Sequence, residues 1–77
     1  MVFERVRTII SEHLGIAESR IMPETSLTDD IGADSLDIFQ IVTNLEEEFD
    51  VEFTNDAATK MKTVGDAVEY IEKNTNK

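Results

Sequence analysis

From Ile38 to Phe49 the residues Ile38, Ile41, Val42, Leu45 and Phe49 recur at intervals of three and four, a spacing that only an α-helix gathers onto one face. At about 100° per residue, with Asp37 set to zero, these five fall between about 40° and 140°. Asp37, Gln40, Asn44, Glu47 and Glu48 fall on the opposite side, and Leu36, Phe39 and Thr43 lie between the two sets, off the centre of the buried face. Such a helix must lay its apolar face against other elements to be stable. Its start is written just upstream, in Gly32-Ala33-Asp34-Ser35-Leu36-Asp37. Asp34 is an N-cap whose carboxylate accepts from first-turn N–H groups, and Asp37, three residues on, can reach back as in a capping box. Gly32 allows a positive φ before the helix begins. Ser35 then stands in the first turn, pointing outward at the positive end of the helix dipole, where a phosphate ester is favoured.

The remaining chain reads as further helices around this one. Apolar residues at 2, 3, 6, 9, 10 and 14 predict a helix over Val2 to Leu14, with Gly15 as its C-cap and His13 near its end. Ile16 to Ala33 is a long connection holding the only proline, Pro23. A loop of that length in so small a domain is expected to be ordered, pinned by Ile16, Ile21, Met22, Leu27 and Ile31, with Glu18-Ser19-Arg20 as one helical turn. After a short extended link with Val51 and Phe53 inward, Thr54 or Asn55 caps a third helix from about Asp56 to Met61. In it Ala57, Ala58 and Met61 face the interior. Thr63 caps a last helix with Asp66 as the capping-box partner, and Val64, Ala67, Val68 and Ile71 close the core. Asn74 to Lys77 is expected to fray. There is no strand alternation. The expectation is an all-α single domain over 1–77: a four-helix up-down bundle of three longer helices and one short one, with a long first loop.

Composition narrows what such a bundle can do. Seventy-seven residues without cysteine leave neither disulfides nor thiolate metal sites, so modest stability resting on helix packing is expected. No run approaches the roughly 18 apolar residues of a membrane span, and the start has no signal pattern, so a cytoplasmic protein is expected. Seventeen acids against seven bases give a net charge of −10, which argues against nucleic-acid binding. No basic residue stands between Arg20 and Lys60, a stretch that carries acids from Glu24 to Asp56 on both sides of Ser35. That one-sided placement suggests a docking face for basic partners. Asp29, Asp30, Asp34 and Asp37 lack the spacing of a calcium loop, so weak charge-relieving cation binding at most is expected, and no specific metal site. Nor is an enzyme implied. Ser35 has no Gly-x-Ser-x-Gly elbow, His13 is the only histidine, and Asp34 with Asp37 is explained by capping.

The hexapeptide at 32–37, the apolar helix that follows and ends Leu45-Glu46-Glu47-Glu48-Phe49, and the acidity of the whole chain resemble the acyl carrier proteins of fatty-acid synthesis. The resemblance covers almost the entire chain. It implies a carrier whose serine in Asp-Ser-Leu, here Ser35, bears a covalent 4'-phosphopantetheine arm, with Asp34 and Leu36 flanking the attachment. It implies modification by a phosphopantetheinyl transferase (a holo-acyl-carrier synthase) and docking of basic-surfaced synthesis enzymes on Leu36, Asp37, Phe39, Gln40, Glu46, Glu47 and Glu48. It also implies an acyl pocket, for which Ile38, Ile41, Phe53, Ala58, Met61 and Ile71 are candidates, in a monomeric protein.

Some residues depart from the family pattern. Gln40 stands where many relatives have glutamate, the third helix is less acidic than usual, Lys60 and Lys62 add charge of the opposite sign, and Gly65 should slightly weaken the last helix. Two alternatives stay open: a carrier of a polyketide, peptide or other dedicated pathway, and an unmodified acidic interaction module in which Ser35 is a helix-start residue or a phosphorylation site. Peptidyl carriers usually show Gly-Gly-x-Ser, and Gly32-Ala33-Asp34-Ser35 differs from it.

Overall fold

The computed structural model describes residues 2–74. Along them run α1 (Val2–Leu14), a single 3₁₀ turn (Glu18–Arg20), α2 (Ser35–Phe49), α3 (Asn55–Lys60) and α4 (Val64–Asn74). The ends of α1 and α2 meet in antiparallel fashion. His13 near the end of α1 faces Asp37 at the start of α2, and Arg5 near the start of α1 pairs with Glu48 near the end of α2. Short α3 carries the chain back, and Tyr70 late in α4 reaches Glu52 just past the end of α2, its hydroxyl donating to that carbonyl at 2.9 Å. The up-down order expected from the sequence is the one observed.

The core is the sum of the inward faces: Val6 and Ile10 of α1, Ile41, Val42 and Leu45 of α2, and Val64, Ala67 and Ile71 of α4, with Phe53 and Met61 from the links around α3. From the long loop, Ile21 and Leu27 are fully buried, Ile16 and Ile31 lie against the core, and Ala33, not among the expected pins, is buried as well. Met22 corrects the sequence reading, for it is 49% exposed. A tight turn explains this: Thr25 N–H donates to the Met22 carbonyl at 3.0 Å, and the Thr25 hydroxyl accepts from Met22 N–H at 2.8 Å. That turn buries Thr25 and sends Met22 outward.

The loop is held by backbone as much as by side chains. Leu27 N–H donates to Lys62 O, Val64 N–H to Thr25 O and Gly65 N–H to Pro23 O, at 2.9, 3.0 and 2.7 Å. An isolated antiparallel bridge between Ser26 and Thr63 lies within this seam. The expectation that Gly65 merely weakens α4 is therefore incomplete. A Cβ there would stand 2.8 Å from the Pro23 carbonyl oxygen, so the missing side chain is what lets loop and helix start touch.

Boundaries shift by single residues. Thr54 is the cap of α3, its hydroxyl accepting from Ala57 N–H at 3.0 Å, so the helix begins at Asn55 and Met61 lies just beyond it in extended conformation. Thr63 and Asp66 form the expected reciprocal cap of α4, at 3.1 Å in each direction. Asn74 belongs to α4, its side-chain amide donating to Tyr70 O at 2.8 Å. The rest of the expected frayed end, 75–77, lies outside the described residues.

Candidate functional site

Ser35 is the first residue of α2, and everything around it serves to fix that start. Gly32 takes φ of +73°, turning the loop, and Ala33 is anchored by its N–H donating to Leu27 O at 2.8 Å and by burial of its methyl. Asp34 is extended, with φ −93° and ψ −175°, and its carboxylate accepts from Asp37 N–H at 2.9 Å. Asp37 returns the bond, its Oδ2 accepting from Asp34 N–H at 3.2 Å, so the capping box read from the sequence is complete. Asp37 Oδ1 faces His13 Nε2 at 3.2 Å; since a carboxylate oxygen only accepts, Nε2 carries the proton. The N–H of Asp34, first, and then His13 hold the Asp37 carboxyl below its ordinary value, while loss of hydration acts the other way.

Ser35 itself is exposed, and among the described residues its hydroxyl has no hydrogen-bond partner. The N–H groups of Ser35 and Leu36 belong to the first turn and have no intrahelical acceptor. A hydroxyl beside two open N–H donors, at the positive end of a 15-residue helix, fits a phosphodiester. From the same residue runs a groove of about 310 Å³ between α2 and α3, lined by Ser35, Ile38, Phe39, Ala58, Thr59 and Met61.

The other candidate residues divide by flank. Of the six proposed for the acyl pocket, Ile38, Ala58 and Met61 line this groove, and Ile41, Phe53 and Ile71 lie in the core. Phe53 and Met61 also border a second groove on the α4 side of α3, together with Tyr70. Tyr70 stacks on Phe53, centroids 4.4 Å apart; it sits three residues after Ala67, at the edge of the apolar stripe, and that position is the signal that could have placed it. Leu36 and Phe39 stand out at 74% and 64% exposed, with exposed Gln40 beside them.

The acidic set is less open than the helical phase implies. Asn44, Glu47 and Glu48 border a groove shared with Ile9, Glu12 and His13 of α1. Glu48 is paired with Arg5, and Glu46 is half-buried, accepting from Phe53 N–H at 2.7 Å. Of the seven docking candidates, Leu36, Phe39, Gln40 and Glu47 therefore stand free at the surface, whereas Asp37, Glu46 and Glu48 also hold the fold together. Asp29, Asp30, Asp34 and Asp37 are not gathered: Asp30 accepts from Ser26 N–H at 2.8 Å, and among the described residues no three carboxylates or imidazoles are placed to hold a metal ion.

An exposed serine at a helix start, with an adjoining apolar groove in a small acidic bundle, is the architecture of a carrier rather than of an enzyme, and the family model that matches residues 4–71 is the phosphopantetheine attachment site. The chain belongs to this family, and within it to the acyl carrier proteins, which hold 4'-phosphopantetheine covalently. It is 51% identical over 75 residues to an acyl carrier protein of Clostridium acetobutylicum, covering 97% of each chain. Among solved structures, it superposes on a chain assigned as an acyl carrier protein of Mycobacterium tuberculosis with a TM-score of 0.88 at 34% identity, covering 95% of this chain and 97% of that one. The acyl carrier protein of Enterococcus faecalis gives 0.81 at 38% identity, with 95% and 92% covered.

Proposed function

We propose that Ser35 is the attachment residue, and that the protein carries growing acyl chains for fatty-acid synthesis. The observation that supports this reading is the exposed, unpartnered Ser35 hydroxyl at the start of α2, opening onto the groove lined by Ile38, Phe39, Ala58 and Met61. When bound, the arm supplies a thiol that holds the acyl group as a thioester. The chain's own residues supply position. Asp34 and Asp37 fix the helix start, the N–H groups of Ser35 and Leu36 would hold the phosphodiester, and Ile38, Ala58 and Met61 would offer apolar surface to a chain folded back, with Ile41, Phe53 and Ile71 beneath.

Leu36 and Phe39 form the apolar centre of the docking face for the transferase and the synthesis enzymes, with Gln40 and Glu47 at its rim. Burial of the two apolar side chains contributes affinity, and the acids orient a basic partner. In this reading the protein works as a monomer in the cytoplasm.

Intact mass after incubation with coenzyme A, magnesium and a broad-specificity phosphopantetheinyl transferase tests the assignment. The wild type gains one phosphopantetheine and Ser35→Ala gains none; a folded, previously unmodified wild type that gains nothing overturns the reading. Core methyl NMR shifts then test the pocket, which is removed if holo and medium-chain acyl forms give the same spectrum.

A further inference from the structure

Two polar ties join α1 to α2, one at each end of the pair. Arg5 with Glu48 lies at the end far from the modified serine. His13 with Asp37 lies at the near end, at 3.2 Å, and both side chains are half-buried. We infer that His13 is a positioning residue for Ser35: through Asp37 it holds the N-terminal turn of α2 in the geometry that presents the serine hydroxyl. This rests on the assignment of Ser35 as the attachment residue.

Asp37 has two oxygens and two tasks. Oδ2 accepts from Asp34 N–H, at a long 3.2 Å, and Oδ1 accepts from His13 Nε2–H. With Oδ1 released, the carboxylate can turn to water, and the return half of the capping box weakens. Asp34 is the residue before Ser35, and its extended backbone sets the direction in which Ser35 enters the helix. His13 is a firm anchor because α1 ends in its own closure: Gly15 N–H donates to Ser11 O at 2.8 Å, and the Ser11 hydroxyl donates to Ile16 O at 2.6 Å. The loop on the other side of Asp34 is held by contacts of its own, Ala33 N–H on Leu27 O and Ser26 N–H on Asp30. None of these touches the Asp37 carboxylate, so His13 is that carboxylate's tie to α1.

In the transfer step the Ser35 hydroxyl gives up its proton to solvent, its oxygen forms a bond to the β-phosphorus of coenzyme A, and the bond from that phosphorus to the bridging oxygen breaks, its electron pair leaving with adenosine bisphosphate. Such a step is sensitive to small displacements of the attacking oxygen. A residue that aims this oxygen changes kcat, whereas one on the docking face changes KM.

The test is steady-state transfer from coenzyme A with magnesium and a purified phosphopantetheinyl transferase on four chains: wild type, His13→Ala, His13→Gln and Arg5→Ala. His13→Ala is expected to lower kcat by roughly three- to tenfold with KM within about twofold, a fraction of what an ångström of misplacement costs. His13→Gln, whose amide can donate to Asp37, recovers most of the loss, and Arg5→Ala, which breaks the distant tie, stays close to wild type. Wild-type kcat in His13→Ala, a change confined to KM, failure of His13→Gln to recover, or an equal loss in Arg5→Ala each overturns the inference. If the wild type is not modified at all, it is the assignment of Ser35 that fails.

Discussion

Helices α3 and α4 begin in the same way and end up in different situations. Each starts at a threonine whose hydroxyl accepts from the N–H three residues on, Thr54 from Ala57 at 3.0 Å and Thr63 from Asp66 at 3.1 Å. But α4 runs for 11 residues and buries Val64, Ala67 and Ile71, while α3 runs for six and fully buries none of its own. Local chemistry decides where a helix starts; only burial decides how firmly it is held. α4 is part of the frame, and α3 is a cover laid across two grooves, one opening at Ser35 and one at Tyr70. With no fully buried residue of its own, α3 is expected to open more readily than α4.

Substitutions can break this contrast. The largest effect is expected from Ile71→Ala, which empties a fully buried position in α4 and should cost about 2–5 kcal/mol in urea unfolding. Ala57→Gly in α3 should cost about 1 kcal/mol or less, so equal losses for the two would refute the distinction between frame and cover. Next comes Gly65→Ala. Helix propensity alone predicts a gain of up to roughly 1 kcal/mol, but a methyl 2.8 Å from the Pro23 oxygen must push the loop away, and a net loss of about 1–3 kcal/mol is expected. A stabilised Gly65→Ala variant would show that the seam between loop and α4 yields freely.

The paired caps sharpen the comparison further. Thr63→Ala should lower global stability by about 1 kcal/mol. Thr54→Ala removes the same kind of bond, yet its effect should appear chiefly as faster hydrogen exchange at the amides of 57–60, with little change in the urea midpoint. Acid separates the two helices as well. The N–H groups of Lys62 and Thr63, with the Thr63 hydroxyl and the Lys62 charge, hold the Asp66 carboxyl below its ordinary value against some loss of hydration. A carboxyl depressed in the folded state contributes stability above the unfolded value of about 3.9, and that contribution is lost as pH falls through the lower folded value. Asp66→Asn should therefore be less stable than wild type at pH 6, with the gap closing toward pH 3. A gap of constant size would mean that charge at Asp66 is irrelevant to the cap. The smallest change in stability, within about 0.5 kcal/mol, is expected for Leu36→Ala, since that side chain is 74% exposed. Its effect should appear instead as a raised KM for the transferase.

Much of this protein was legible from its sequence because helix starts and helix faces are local properties. The box of Asp34 and Asp37, the left-handed Gly32, the caps at Thr54 and Thr63 and the inward faces of α1, α2 and α4 each depend on residues within four positions of one another. Phase places Leu36 and Phe39 off the centre of the buried face, and both are exposed; Ser35, whose phase of about 160° lies beside that of Val42, is exposed because it is the first residue of the helix.

What the tertiary structure decided involves partners far apart along the chain, for which spacing carries no signal. His13 meets Asp37 across 24 positions, Arg5 meets Glu48 across 43, and Tyr70 reaches Glu52 across 18. The outward turn of Met22 and the need for glycine at 65 both arise where the long loop meets the start of α4. Helical periodicity says which side of α2 is polar, but not that α1 lies along part of that side and takes up Asp37 and Glu48. The sequence by itself determined where the helices run and where Ser35 stands. The packing of α1, the loop and α4 around them determined which acids remain free for a partner, because only in the folded chain do distant charges and backbones come within bonding distance.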